Sequence, residues 1–311
     1  VEGITQAGQA QTILRWMNSL PEAVVRAHPR LCVYHAAVLM FTNQIPPAET
    51  WLRAAERALL PGVPADESQA ILGWVALLRA DIARVNGDMA QAVVLAHQAL
   101  SHLPEREALA RAVAVLNVAH GYLADGDVGA AAEQRAVAAI EPLRRLGNLF
   151  ATMISVTNLA RLHTMQGQLR QAAATFALAK EMAPAGGRVG ELLNGGAYYV
   201  GLGRLHYEWD DLEDAQRYLT LGLEMAREGL SVNGDVVTLG HLTLARIQKA
   251  QGDAGGGLAL LEDFLKSARA RGFAAPLIAR AMAIRARMWL EQGDLAAAER
   301  WAADAGVIKD L

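Results

Sequence analysis

The sequence predicts an all-α, right-handed superhelical solenoid of about seven helix hairpins, with a period near 41 residues. Three observations lead there. A short polar turn recurs seven times, at Asn43-Gln44, Gly87-Asp88, Gly126-Asp127, Gly167-Gln168, Asp210-Asp211, Gly252-Asp253 and Gly293-Asp294. Successive first positions differ by 44, 39, 41, 43, 42 and 41 residues, as expected of one supersecondary unit stacked repeatedly. Small residues also recur at fixed distances from each turn. The whole span 1–311 therefore reads as a single domain.

A leading helix near Ala7–Ser19 is expected, ending before Pro21. Seven hairpins follow, one about each turn. The sixth shows the pattern most openly: Leu239, Leu242, Leu244 and Ile247 form an apolar stripe at helical spacing before Gly252, and Leu258, Leu260, Leu261, Phe264 and Leu265 form another after it. Glycine can take the left-handed conformation that ends a helix. The Asp or Gln beside it can offer a side-chain oxygen to the free N–H groups of the next helix.

Seven residues before each turn stand Ala36, Ala80, Ala119, Ala160, Gly203, Ala245 and Ala286. Five residues after it stand Ala48, Ala92, Ala131, Ala172, Ala215, Gly257 and Ala298. A third column, twelve after the turn, holds Ala55, Ala99, Ala138, Ala179, Gly222 and Ala305, with Phe264 as the exception. Side chains this small let two helix axes approach closely. The logic is that of a tetratricopeptide (TPR) repeat, which is 34 residues long, stretched to a TPR-like hairpin with longer helices.

Composition narrows the function. Lys plus Arg is 29 and Asp plus Glu is 32, a formal charge of −3, which argues against direct nucleic acid binding because phosphate contacts need a concentrated positive face. No apolar run reaches the roughly 18–20 residues of a membrane helix and no signal peptide is evident, so a cytoplasmic protein is expected. Cys32 is the sole cysteine, on an apolar helical stretch, and reads as a packed thiol. The start at Val1 and the end at Leu311 without a polar capping helix lead to the expectation of a domain from a longer chain.

No phosphate loop, His-Glu-x-x-His or Gly-x-Ser-x-Gly motif occurs, so the chain is read as a non-enzyme with no catalytic or metal site. The functional signal is another column. Six residues before the turns stand Ala37, Asp81, His120, Arg161, Arg204, Arg246 and Arg287. On the first helix of each hairpin this position is expected to face the concave groove, so four consecutive arginines would form a ladder. Tyr207 and Lys249 lie one helical turn further along the same face. Forked guanidinium donors suit carboxylates, phosphates or sugar hydroxyls. The competing reading is a solvated face whose arginines pair with neighbours such as Glu208 or Glu291. Asn117 and Asn158, nine before their turns, would line the groove or bond between repeats. Asn194, Tyr198, Tyr199, His206, Tyr207 and Trp209 gather around the fifth repeat, after the Gly-rich stretch 185–190, as ligand contacts or as aromatic filler. Tyr198 and Tyr199 are adjacent and cannot share a face, so at least one belongs to the core.

The stretch Gln11-Thr12-Ile13-Leu14-Arg15-Trp16-Met17-Asn18-Ser19-Leu20-Pro21, then His28-Pro29-Arg30-Leu31, then Ala48-Glu49-Thr50-Trp51-Leu52-Arg53-Ala54-Ala55-Glu56, resembles the start of the helical-repeat domain of MalT-type regulators, the large ATP-dependent members of the LuxR family. Ala298-Glu299-Arg300-Trp301-Ala302-Ala303-Asp304-Ala305-Gly306 resembles a late repeat of the same family. The resemblance covers essentially the whole chain. It implies a bacterial transcription regulator whose N-terminal ATPase and C-terminal helix-turn-helix lie outside this segment. ATP is then expected only in that ATPase domain, with no cofactor here. The segment would be the sensor, with a small-molecule inducer and self-association or other regulator domains as partners. A protein-interaction scaffold holding an acidic segment is the alternative. No binding residue carries over from the family, so the candidates rest on the groove argument.

Overall fold

A computed structural model describes residues 7–41, 44–59, 63–86, 88–125, 129–147, 149–182, 195–228, 234–273 and 275–304. Among them no β-strand forms. The leading helix α1 spans Ala7–Ser19, as expected, and a short α2 spans Glu22–Ala27. Seven hairpins follow: α3 (Pro29–Phe41) with α4 (Ile45–Arg57), α5 (Ala65–Val85) with α6 (Met89–His102), α7 (Ala108–Asp125) with α8 (Ala130–Arg145), α9 (Leu149–Met165) with α10 (Leu169–Glu181), α11 (Gly195–Glu208) with α12 (Leu212–Glu228), α13 (Gly234–Ala250) with α14 (Ala254–Ala270), and α15 (Ala275–Glu291) with α16 (Leu295–Asp304). The first helices α3 to α15 each touch the next first helix in turn, whereas the second helices α4 to α14 pack against the first helices on either side of them. The result is a two-layered right-handed TPR-like solenoid whose first helices form one continuous wall.

The two turn residues have separate duties. At Gly167, Asp210, Gly252 and Gly293 the backbone is left-handed, with φ of 74°, 62°, 89° and 82°. That geometry closes the helix: Gly252 N–H donates to Lys249 O at 2.9 Å and Asp253 N–H donates to Gln248 O at 2.9 Å, the pattern of a Schellman motif. Asp253 then opens the next helix, its Oδ1 accepting from Gly256 N–H at 2.8 Å. Asp88 and Asp294 cap in the same way, accepting from Gln91 and Ala297 N–H at 3.0 Å each. Gln44 and Gln168 make no side-chain cap, contrary to the expectation for glutamine. The extra methylene carries the amide oxygen past the N–H groups that an Asp oxygen reaches. The other three turn-leading residues, Asn43, Gly87 and Gly126, lie outside the described residues.

The small columns meet as their spacing requires. All seven residues of the first column are buried, Ala36 to Ala286. A Cβ added to Gly203 would sit 2.9 Å from Ala215 O and 2.7 Å from Leu219 Cγ, and one on Gly257 would sit 2.7 Å from Ala245 O. The residue seven before the turn therefore faces the residue five after it within the same hairpin. Gly222, from the third column, brings α12 equally close to α11, with Val200 N 2.7 Å from its would-be Cβ. The Cys32 thiol is buried as expected, donating to Val25 O at 3.1 Å, and burial pushes its pKa up.

The third hairpin departs from the pattern. Where other second helices begin two residues after the first turn position, α8 begins at Ala130, four after Gly126. Two residues turn a helix face through about 200°. Ala138, expected in the small column, is accordingly exposed, while Ala136 and Leu143 are buried and Ile140 packs inward. The side chain of Ala131, the residues 183–194 that include the Gly-rich stretch and Asn194, and Ala305 lie outside the described residues.

Replacing Ala215 with Leu should lower stability by about 1–3 kcal/mol, since Gly203 and the α11 backbone leave no room for added methylenes. Chemical denaturation measures the change; an unaltered midpoint would mean that α11 and α12 do not meet at this position.

Candidate ligand site: an arginine cluster on the first-helix wall

Arg161 stands near the end of α9, Arg204 near the end of α11, Arg246 near the end of α13 and Arg280 early in α15, so four successive first helices each supply one guanidinium. Arg161 and Arg204 are mostly withdrawn from solvent, with side chains 13% and 19% exposed. Arg161 Nη2 is 3.0 Å from Asp235 Oδ2, and Arg280 Nη1 is 3.8 Å from Asp235 Oδ1. Asp235 lies in the first turn of α13, so the Arg161 contact passes over α11 to join the fourth repeat to the sixth. Neighbouring helix axes stand roughly 8–10 Å apart, so a contact over an intervening helix requires the first-helix wall to curve and twist towards itself. Gly201 on α11 leaves space for it: a Cβ there would lie 3.7 Å from Arg161 Cγ and 2.8 Å from Phe176 Cζ.

Electrostatics set this cluster apart from the other arginines. Burial holds the Arg204 guanidinium down at about 10, and the charges of Arg161, Arg280 and Arg246 add to the depression, opposed by Glu208 at 3.9 Å. Arg246 has no ion pair among the described residues. Arg79, on α5, is the contrast. It grips Glu56 at 2.7 Å and Glu49 at 3.1 Å on α4, and those carboxylates raise its pKa. Arg79 is a saturated tie between repeats, whereas the cluster around Arg204 carries more cation than anion.

The sequence-derived candidates separate on this frame. Arg161, Arg204 and Arg246 come together. Arg287 does not: its side chain is 73% exposed, pairs with Glu291 at 3.1 Å, and shares that carboxylate with Lys249. Tyr207 is half-buried and packs against the core cluster that includes Leu219, Leu239 and Ile247. Tyr198 is in the core, 4% exposed, its hydroxyl donating to Phe176 O at 3.3 Å. Asn117 and Asn158 are also buried between helices, not on the open wall. The side chain of His120 lies outside the described residues. Tyr199, His206 and Trp209 belong to a separate ring cluster with Tyr218 of α12.

Two participants were missed by the repeat columns. Arg280 lies two helical turns before Arg287 on the same face, so seven-residue spacing could have found it. Asp235 sits off every column, because its role comes from the twist between repeats. A metal site is not supported at His206, Asp211 and Asp214, whose oxygen and nitrogen ligands lie within 4.8 Å of one another. His206 Nδ1 is 2.9 Å from Asp211 Oδ2, Asp211 Oδ1 accepts from Asp214 N–H at 3.4 Å, and Asp214 pairs with Arg217 at 2.5 Å. Those contacts account for the arrangement as a helix start.

The class this fold defines is a helical-repeat interaction domain. Residues 73–309 match the family described as the MalT-like TPR region, and the chain belongs to that family. None of the curated proteins matches it. Among solved structures it is similar to a Signal Transduction ATPase with Numerous Domains (STAND) protein with a tetratricopeptide repeat sensor from Pyrococcus horikoshii, at 14% identity and a TM-score of 0.54, covering 90% of this chain and 43% of that one. The chain thus spans less than half of that protein's length. It is also similar to a Rap protein complexed with Competence and Sporulation Factor, at 14% identity and a TM-score of 0.61, covering 95% and 89%. A third is aspartyl phosphate phosphatase F from Bacillus subtilis, at 14% identity and a TM-score of 0.56, covering 91% and 71%. At these identities the likeness shows the fold alone. No helix among the described residues is long and apolar enough to cross a membrane.

A buried charge among like charges destabilises the fold. Each unit of pKa depression corresponds to about 1.4 kcal/mol. Removing the Arg204 charge while keeping its stem, in Arg204→Met, should raise stability by on the order of 1–3 kcal/mol at neutral pH. The penalty is full below a folded pKa of about 10 and is relieved only as pH rises above it. Thermal melts in low salt check this; a lower melting temperature would show that Glu208 outweighs the neighbouring cations.

Proposed function

We propose that this chain is the signal-sensing and self-association domain of a MalT-type, LuxR-family transcription activator, and that a small-molecule inducer binds the first-helix wall at the arginine cluster. The observation that supports this most strongly is Arg204: a largely buried guanidinium whose pKa is held down by burial and by the charges of three others is costly in an empty scaffold and useful in a binding site. Family membership supports a sensing role, and so does the likeness to a STAND protein whose repeats are called a sensor. An inducer acts by binding one arrangement of the repeats better than another, with couplings typically of about 1–3 kcal/mol. The cluster suits this because it draws on four repeats, so a ligand there would respond to their relative rotation. We read the domain as non-catalytic, with ATP confined to a neighbouring ATPase domain.

A second reading is a scaffold that captures an acidic segment of a partner protein. It draws support from the likeness to a Rap protein complexed with Competence and Sporulation Factor. The two separate in a double variant, Arg204→Ala with Arg246→Ala. Under the sensor reading, a thermal-shift screen of sugars, organic acids, aromatic compounds and nucleotides yields a ligand that stabilises the wild type, by about 2.7 kcal/mol at a hundredfold excess over Kd, and the shift disappears in the variant. Peptide capture lost in the variant, with no small-molecule hit, would favour the scaffold.

A further inference from the structure

Resting on the groove reading above, we propose that Arg161, Arg204, Arg246 and Arg280 form a site for a small dianion, a phosphate monoester or a compact dicarboxylate, which enters by taking the place of the Asp235 carboxylate. The charge balance points to this class. Among the described residues, four guanidinium groups face two carboxylates, Asp235 and Glu208, leaving a surplus of two positive charges. A neutral sugar would leave that surplus untouched. A monocarboxylate would replace Asp235 without reducing it. A dianion in the same place halves it, to one positive charge.

Geometry supports the same assignment. Asp235 already shows that Arg161 and Arg280, from α9 and α15, converge on one carboxylate, at 3.0 and 3.8 Å. Arg161 binds it through Nη2, while its Nε is buried with no hydrogen-bond partner among the described residues. A second oxyanion oxygen would satisfy that N–H in the forked geometry that guanidinium groups favour. Arg246 also lacks an ion pair among the described residues. The depth of Arg161 and Arg204 favours a compact ligand over a peptide backbone, which would have to follow its side chains below the surface. Displacing Asp235 would also release the contact between the fourth and sixth repeats, so occupancy and curvature are coupled.

The test measures melting of the 311-residue chain at pH 8 and constant ionic strength against inorganic phosphate and succinate, with chloride and glucose as controls. At least one dianion should raise the melting temperature with saturation, and the controls should not. Half-saturation should fall several-fold in Asp235→Asn, rise at least tenfold in the Arg204→Ala/Arg246→Ala variant, and stay unchanged in Arg287→Ala, which alters charge outside the cluster. A non-saturating response, equal behaviour of the double variant, or no tightening in Asp235→Asn overturns the assignment. If a neutral inducer needs these arginines while neither dianion binds, the sensor reading stands and this one falls. If a dianion binds as expected but leaves self-association of the full regulator unchanged, this assignment stands and the sensor reading falls.

Discussion

Close backbone approach within each hairpin is the constraint on which the rest of the structure depends. Where the residue seven before the turn meets the residue five after it, no side chain beyond a methyl fits, and in the fifth and sixth hairpins one partner is glycine. That contact fixes the rotation of each second helix about its axis. It thereby decides which stripe faces the next repeat and which residues of the first helix remain for the wall. The turn reinforces it from the other end, since the left-handed residue and the capping Asp leave little freedom in the reversal.

The architecture was legible because this constraint acts within one repeat, where sequence distance and spatial distance correspond. Gly203 and Ala215 are twelve residues apart, and the same pairing recurs around the other turns. Legibility failed where the local rule was bent. The late start of α8 rotated Ala138 outward, and a glutamine in the aspartate's place left α4 and α10 uncapped. It failed more broadly at the candidate site. Arg161, Arg204 and Arg246 could be read from their column. Asp235 joins them only through the twist accumulated over two repeats, and periodicity carries no information about twist. The aromatic residues were misleading for a simpler reason: a tyrosine on a long first helix fills space between helices as readily as it faces a groove, and Tyr198 does the former.

The arginines of this chain illustrate how one residue type serves opposite ends. Arg79 is closed off by two glutamates and ties α4 to α5. Arg204 is more enclosed but faces like charge, so its burial opposes folding instead of assisting it. The interior packing must offset that cost. Local instability of this kind concentrates where a protein binds something that the isolated fold does not contain.

The uniform hairpin has a mechanical corollary. Turn-to-turn spacing varies between 39 and 44 residues, yet outside the third hairpin, where α8 starts late, the twelve residues linking the facing small positions do not change. In the other six hairpins, variation in length therefore falls outside the contact that holds the hairpin together. The solenoid behaves as a row of stiff links of standard cross-section joined by couplings of adjustable length. Evolution can retune its bend by editing the couplings while leaving the links intact.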